Sequence, residues 1–79
     1  MWQKRKSPSF TPTLLPLTSE QRIAIAEMCE RLAADPRDDI VNPVVLSDGD
    51  REVEVAGVWL RYRLRPRTKE IVFLRVAQF

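Results

Sequence analysis

From Arg51 onward the chain alternates apolar and polar residues with period two over three runs, residues 51–55, 58–65 and 70–77. Successive side chains of an extended strand point to opposite faces, so this alternation predicts half-buried β-strands. Ala56-Gly57 fits a tight hairpin loop and residues 66–69 a longer one, which makes the three runs an antiparallel meander. If Ala56-Gly57 is a two-residue loop, Val55 faces Val58, Glu54 faces Trp59, Val53 faces Leu60 and Glu52 faces Arg61. One face then carries Val53, Val55, Val58, Leu60, Tyr62 and Leu64 toward the core, and the other carries Glu52, Glu54, Trp59, Arg61, Arg63 and Arg65. The last run is apolar on both faces, through Ile71 and Phe73 on one and Val72, Leu74 and Val76 on the other, as for a strand covered on both sides.

Upstream the period changes. Thr18-Ser19-Glu20-Gln21 reads as a capping box, in which the threonine hydroxyl accepts an amide three residues on and Gln21 reaches back to the cap. Ile25, Cys29 and Leu32, widened by Ala26, Met28 and Ala33, then recur at helical steps, with Glu20, Arg22, Glu27, Glu30 and Arg31 largely off that face. Asp35-Pro36 closes a helix predicted over residues 19–34. An acidic loop, a short apolar stretch over residues 40–46 broken by Pro43, and the turn Ser47-Asp48-Gly49-Asp50 lead into the meander. The first 17 residues hold Pro8, Pro12 and Pro16 and the cations Lys4, Arg5 and Lys6, which suits an exposed basic arm better than a helix or an edge strand. Leu14, Leu15 and Leu17 are expected to fold back onto the core. The predicted class is therefore α+β: a basic, Pro-rich arm over residues 1–17, then a single domain over residues 18–79, with one main amphipathic helix packed on a C-terminal antiparallel β-meander.

A chain of 79 residues holds one core, and 44% apolar with 30% charged residues is a globular balance. No apolar run approaches the ~20 residues that span a bilayer, and the basic start is followed by prolines where a signal peptide needs an apolar stretch, so a cytoplasmic protein with no membrane association is expected. There is no histidine and a single cysteine, Cys29. Histidine-assisted nucleophilic catalysis is thereby excluded, and neither a metal nor a cofactor is expected. Cys29 lies on the apolar helix stripe and reads as a buried small hydrophobe. The net charge of +2 divides unevenly, as +3 over residues 1–10, −6 over residues 11–56 and +5 over residues 57–79. Such asymmetry fits a surface for nucleic acid or an acidic partner, and equally fits cross-strand ion pairs.

With the helix ending in ERLAADPRDD and the strands REVEVAGVWLRYRL and EIVFLRVAQF in place, the chain resembles the RelE/ParE superfamily of type II toxins. The firmest matches are Leu32 to Pro36, Gly57, Tyr62 and the strand from Ile71 to Ala77, and the opening MWQKRKSPSF is similar to that family's first strand. The resemblance implies a RelE/ParE-like fold and an antitoxin partner. In the ribonuclease branch it also implies lysines before the hairpin, an arginine after it and a basic tail. Here Glu52 and Glu54 stand in place of the lysines, Trp59 in place of the arginine, and the sequence reaches Phe79 without such a tail. Pro12 and Pro16 interrupt the place of the family's first helix.

Three functions follow from these readings. The first is a toxin-like component of a type II toxin-antitoxin system that acts by binding protein, either an antitoxin or a cellular target, with Trp59, Arg61, Arg63, Arg65, Glu52 and Glu54 as the contact surface. Weak or absent ribonuclease activity is expected with it. The second is a ribosome-dependent mRNA endoribonuclease of RelE type, in which Arg61 and Arg63 stabilise phosphate charge and a glutamate or Tyr62 moves protons. The third is a non-enzymatic nucleic-acid-binding module that uses Lys4, Arg5, Lys6, Arg61 and Arg63, with stacking on Trp59 or Trp2. Against all three stands a purely structural pairing of Arg61 with Glu52 and Arg65 with Glu70. A homodimer is an alternative occupant of the open sheet, because one helix cannot cover both apolar sides of the last strand.

Overall fold

The computed structural model describes residues 1–78. Eight elements follow in order: β1 (Gln3–Lys6), α1 (Phe10–Leu14), α2 (Ser19–Ala34), α3 (Asp38–Val41), β2 (Val44–Val45), β3 (Arg51–Val55), β4 (Val58–Arg65) and β5 (Glu70–Ala77). The strands form one five-stranded sheet in the order β1-β5-β4-β3-β2. All its neighbours are antiparallel except β1, which runs parallel to β5.

The helix and the meander lie where the pattern of the sequence puts them. Thr18 caps α2 with both halves of the capping box: the Gln21 amide donates to the Thr18 hydroxyl at 3.1 Å, and the Thr18 amide donates to the Gln21 side chain at 3.0 Å. Ile25, Cys29, Leu32 and Ala33 are the buried face of α2. Across the first hairpin the pairs are Val55 with Val58, Glu54 with Trp59, Val53 with Leu60 and Glu52 with Arg61. Its loop has positive φ at both residues, +52° at Ala56 and +83° at Gly57, the mirror-image turn whose twist matches that of paired strands.

The meander is only part of the sheet, and the first 17 residues do not form an exposed arm. The amides of Gln3 and Ser7 donate to the carbonyls of Lys69 and Phe73, which fixes β1 against β5. Phe10 is 2% exposed, and its ring lies 5.9 Å from that of Phe73. Pro12 does not prevent α1, because it sits in the first turn, where amides have no intrahelical acceptor. Leu17 is buried and Leu14 half-buried, but Leu15 points outward at 74% exposure, contrary to expectation. The acidic loop contains the short helix α3, and residues 44–45 add β2 at the other sheet edge.

The double apolar character of β5 has a definite cause. Its register with β4 shifts by one residue between Arg61 and Tyr62, so that Arg61 pairs with Arg75 whereas Tyr62 pairs with Phe73. Leu74 is the extra residue of this bulge, and it moves Val76 onto the core face with Ile71 and Phe73. Val72 remains on the other face, across from Arg63, and is still 8% exposed.

Tyr62 is the largest fully buried side chain, and its hydroxyl has no hydrogen-bond partner among the described residues. The ring therefore contributes far more than the hydroxyl. Replacing Tyr62 with Phe is expected to change stability by no more than about 1 kcal/mol, whereas Tyr62→Ala should cost about 3–5 kcal/mol. Urea unfolding of both variants tests this, and a loss above about 2 kcal/mol in the Phe variant would contradict it.

Candidate functional site

The helices cover one face of the sheet and leave the other open. Alternation places Arg61, Arg63 and Arg65 of β4 on the open face beside Trp59, with Glu52 and Glu54 across the hairpin. These residues share one surface, but the predicted ion pairs do not form. Arg61 is held instead by two aspartates from the turn before β3: its Nη2 donates to Asp48 Oδ2 at 2.7 Å, and its Nε donates to Asp50 Oδ2 at 3.2 Å. Arg63 reaches the same Asp50 through Nε to Oδ1 at 2.7 Å and Nη2 to Oδ2 at 3.2 Å. Both oxygens of Asp50 are thus engaged, and the residue is 2% exposed. Glu70 accepts from Arg5 Nε at 2.7 Å and from the Thr68 hydroxyl at 2.7 Å, not from Arg65. Glu52 and Glu54 form no ion pair among the described residues.

Like charge explains this arrangement. Arg61 lies directly across from Arg75 and two residues from Arg63, so three arginines share the middle of the open face. A dense anion is needed there, and the Ser47-Asp48-Gly49-Asp50 turn supplies it. Asp48 Oδ1 accepts the Asp50 amide at 2.9 Å, the Gly49 amide donates to the Leu46 carbonyl at 2.9 Å, and Gly49 takes φ +88°, a conformation that costs glycine little. The arginine hydrogen bonds hold the Asp50 carboxyl below the ordinary carboxylate range, with Arg63 the stronger cause and burial opposing it. The sequence does contain a signal for Asp50. Continuing the hairpin register one step past the Arg51–Tyr62 pair sets Asp50 across from Arg63.

The basic residues of β1 do not form one patch. Lys4 pairs across from Ile71 and Lys6 across from Phe73, which turns both toward the helices, where Lys4 bonds Glu30. Arg5 faces the open side with Glu70. Lys4, Lys6 and Arg22 rim a groove of about 640 Å³ whose floor includes Phe10, Ile25 and Cys29. Burial pushes the Cys29 thiol up to about 11, so almost no thiolate is present at neutral pH. Burial likewise pushes Tyr62 up to about 12 and leaves it poorly matched to proton transfer near neutrality.

The chain superposes over 98–100% of its length on chains of solved toxin-antitoxin complexes. A chain of the RelBE2 toxin-antitoxin complex from Mycobacterium tuberculosis matches with TM-score 0.81 at 19% identity, over 99% of this chain and 98% of that one. A chain of the intact Escherichia coli RelBE complex matches with TM-score 0.81 at 12% identity, over 100% and 98%. The fold is RelE-like. A chain of the archaeal RelE-RelB complex from Pyrococcus horikoshii OT3 matches with TM-score 0.83 at 12% identity, over 98% and 93%. No protein-family model matches the sequence, and no curated protein resembles it in sequence. The RelE-like fold is therefore kept at a level of identity where side-chain chemistry is free to differ. In this chain the open face carries the Asp48–Asp50 turn and Trp59. No helix among the described residues is long and apolar enough to cross a membrane.

Proposed function

We propose that this chain is the toxin-like component of a toxin-antitoxin pair, that it acts by binding an antitoxin and a cellular target, and that it is weak or inactive as a ribonuclease. The observation that carries the reading is the full-length RelE-like fold, matched end to end by chains of three toxin-antitoxin complexes. The electrostatics of the open face support the second half. Cleavage of a phosphodiester needs concentrated positive field and a group tuned to move a proton. Here Asp48 and Asp50 occupy Arg61 and Arg63, Glu52 and Glu54 add negative charge on the neighbouring strand, and Tyr62 is turned into the core. Binding asks for neither condition. Trp59 supplies rigid apolar area, and Arg65, with the Nη1 groups that Arg61 and Arg63 do not spend on the aspartates, supplies directed donors, residue types that dominate protein interfaces.

A RelE-type endoribonuclease is the alternative that the same experiment decides. The chain is induced in bacteria with and without a Trp59→Ala, Arg61→Ala variant, growth is followed and RNA 5′ ends are mapped. The expected result is no new codon-positioned ends. Growth arrest with such ends, lost in the double variant, would establish cleavage and overturn the proposal.

A further inference from the structure

We propose that the groove between β1 and α2, on the helix-covered side of the sheet, binds a single-chain fatty acid, with the alkyl chain along the apolar floor and the carboxylate at Lys6 and Arg22. This site lies across the sheet from the β4 arginines and is independent of the toxin reading. The groove holds about 640 Å³, within the roughly 300–1,000 Å³ of small-molecule sites. One wall is α2, through Arg22, Ile25, Ala26, Cys29 and Glu30, whose steps of three and four residues keep one line of the helix over about 12 Å. Phe10 and Phe73 close the floor, and Leu14 and Ala26 are the apolar positions left open at its mouth. No hydroxyl or amide side chain lines the groove among the described residues. Apart from the charges at the rim and the Cys29 thiol, its side chains therefore meet a bound molecule with hydrocarbon.

The rim charges are unevenly used. Four cations line the groove, of which Lys4 bonds Glu30, the one carboxylate of the lining, and Arg5 bonds Glu70. Lys6 and Arg22 form no ion pair among the described residues. Arg22 makes only long bonds, from Nη1 to the carbonyls of Leu14 and Leu15 at 3.4 Å each. The direction of β1 brings the two unpaired cations toward one end. The Trp2 amide donates to the Ala33 carbonyl at 2.8 Å and Lys4 meets Glu30, so β1 runs antiparallel to α2 and Lys6 lies toward the start of that helix, where Arg22 is. The groove is thus neutral at the Lys4–Glu30 end and positive at the other. That polarity fits a molecule with one anionic head and a long apolar tail. An acidic helix would bring charge along its whole length, which only one end of the groove can answer, and a polyanion would leave the apolar floor uncovered.

The test titrates decanoate, kept below its micelle concentration, into the whole isotope-labelled chain and follows backbone amide shifts by NMR. Saturable shifts are expected at Ile25, Ala26, Cys29 and Phe73 and not along Arg61 to Arg65. Octanoate should bind about three- to tenfold more weakly, since two methylenes of contact are lost. Joint Lys6→Gln and Arg22→Gln substitution, at two exposed positions, should weaken decanoate about threefold or more. Ala26→Trp, which fills the groove from an exposed position, should abolish binding at an unchanged melting temperature, and Ala26→Leu serves in its place if the tryptophan variant melts early. An absence of saturable shifts, or shifts confined to the open face, would overturn the site. Decyltrimethylammonium binding as tightly as decanoate would overturn the role of Lys6 and Arg22. A glutamate-rich helical peptide that displaces decanoate at a lower concentration than octanoate does would overturn the ligand class.

Discussion

Leu32→Ala is expected to cost about 3–5 kcal/mol of folding stability, at the upper end for a leucine truncation. Leu32 is 0% exposed, and it lies on the same face of α2 as Ile25 and Cys29, inside the cluster that includes Leu60, Tyr62, Ile71 and Phe73. Truncation removes the transfer energy of the lost carbons and leaves a cavity, because the rigid sheet behind it cannot collapse fully. A domain of this size holds only about 5–10 kcal/mol in all, so the variant should be partly unfolded near physiological temperature. Urea or thermal unfolding followed by far-UV circular dichroism measures this. A cost well under about 1 kcal/mol would mean that α2 does not pack as described.

Asp50→Asn is expected to cost about 1–3 kcal/mol at neutral pH. This lies below the cost of breaking a fully buried ion pair, because Arg61 and Arg63 remain 22% and 47% exposed at their side chains and can turn to water. The pH dependence separates this contribution from simple packing. The native Asp50 carboxyl is held below its ordinary value of 3.8. Above that value the group is ionised both folded and unfolded, and its full contribution to stability is present. As the pH falls through 3.8 the unfolded chain takes up the proton first, and the contribution is lost progressively down through the lowered native value. The gap in stability between parent and Asp50→Asn should therefore be flat from neutrality to about pH 4.5 and should close below it. A gap that persists unchanged in strong acid would remove Asp50 from the network.

Local rules specified much of this fold in the sequence. The Thr18 to Gln21 box and the stripe of Ile25, Cys29 and Leu32 place α2, and a positive-φ loop at Ala56-Gly57 sets the register of β3 on β4. What local rules did not reveal depends on distant partners. The cations of β1 read as solvated because nothing nearby signals that residues 70–73 will pair with them, and Pro12 reads as a helix breaker unless the helix is known to start at Phe10. The bulge at Leu74 is invisible because β5 is apolar at almost every step. Among candidate site residues, the shared surface of Trp59, Arg61, Arg63 and Arg65 followed from alternation. Their partners did not, because Asp48 and Asp50 read as turn chemistry, and an aspartate in a turn is not ordinarily the buried counter-ion of a strand.

The parallel pairing of β1 with β5 bears on the order of folding. Gln3 to Lys6 make their ladder only with Glu70 to Phe73, so these pairings close a loop almost as long as the chain. The hairpin of β3 and β4 and the β4–β5 pair close over loops of two and four residues and can form while β1 is still free. During synthesis Gln3 to Lys6 are thus made well before Glu70 to Phe73, and they wait for their strand partners until those residues have been translated. The high sequence separation of that one ladder should set the rate of the final step and make the β1 edge the first to open again.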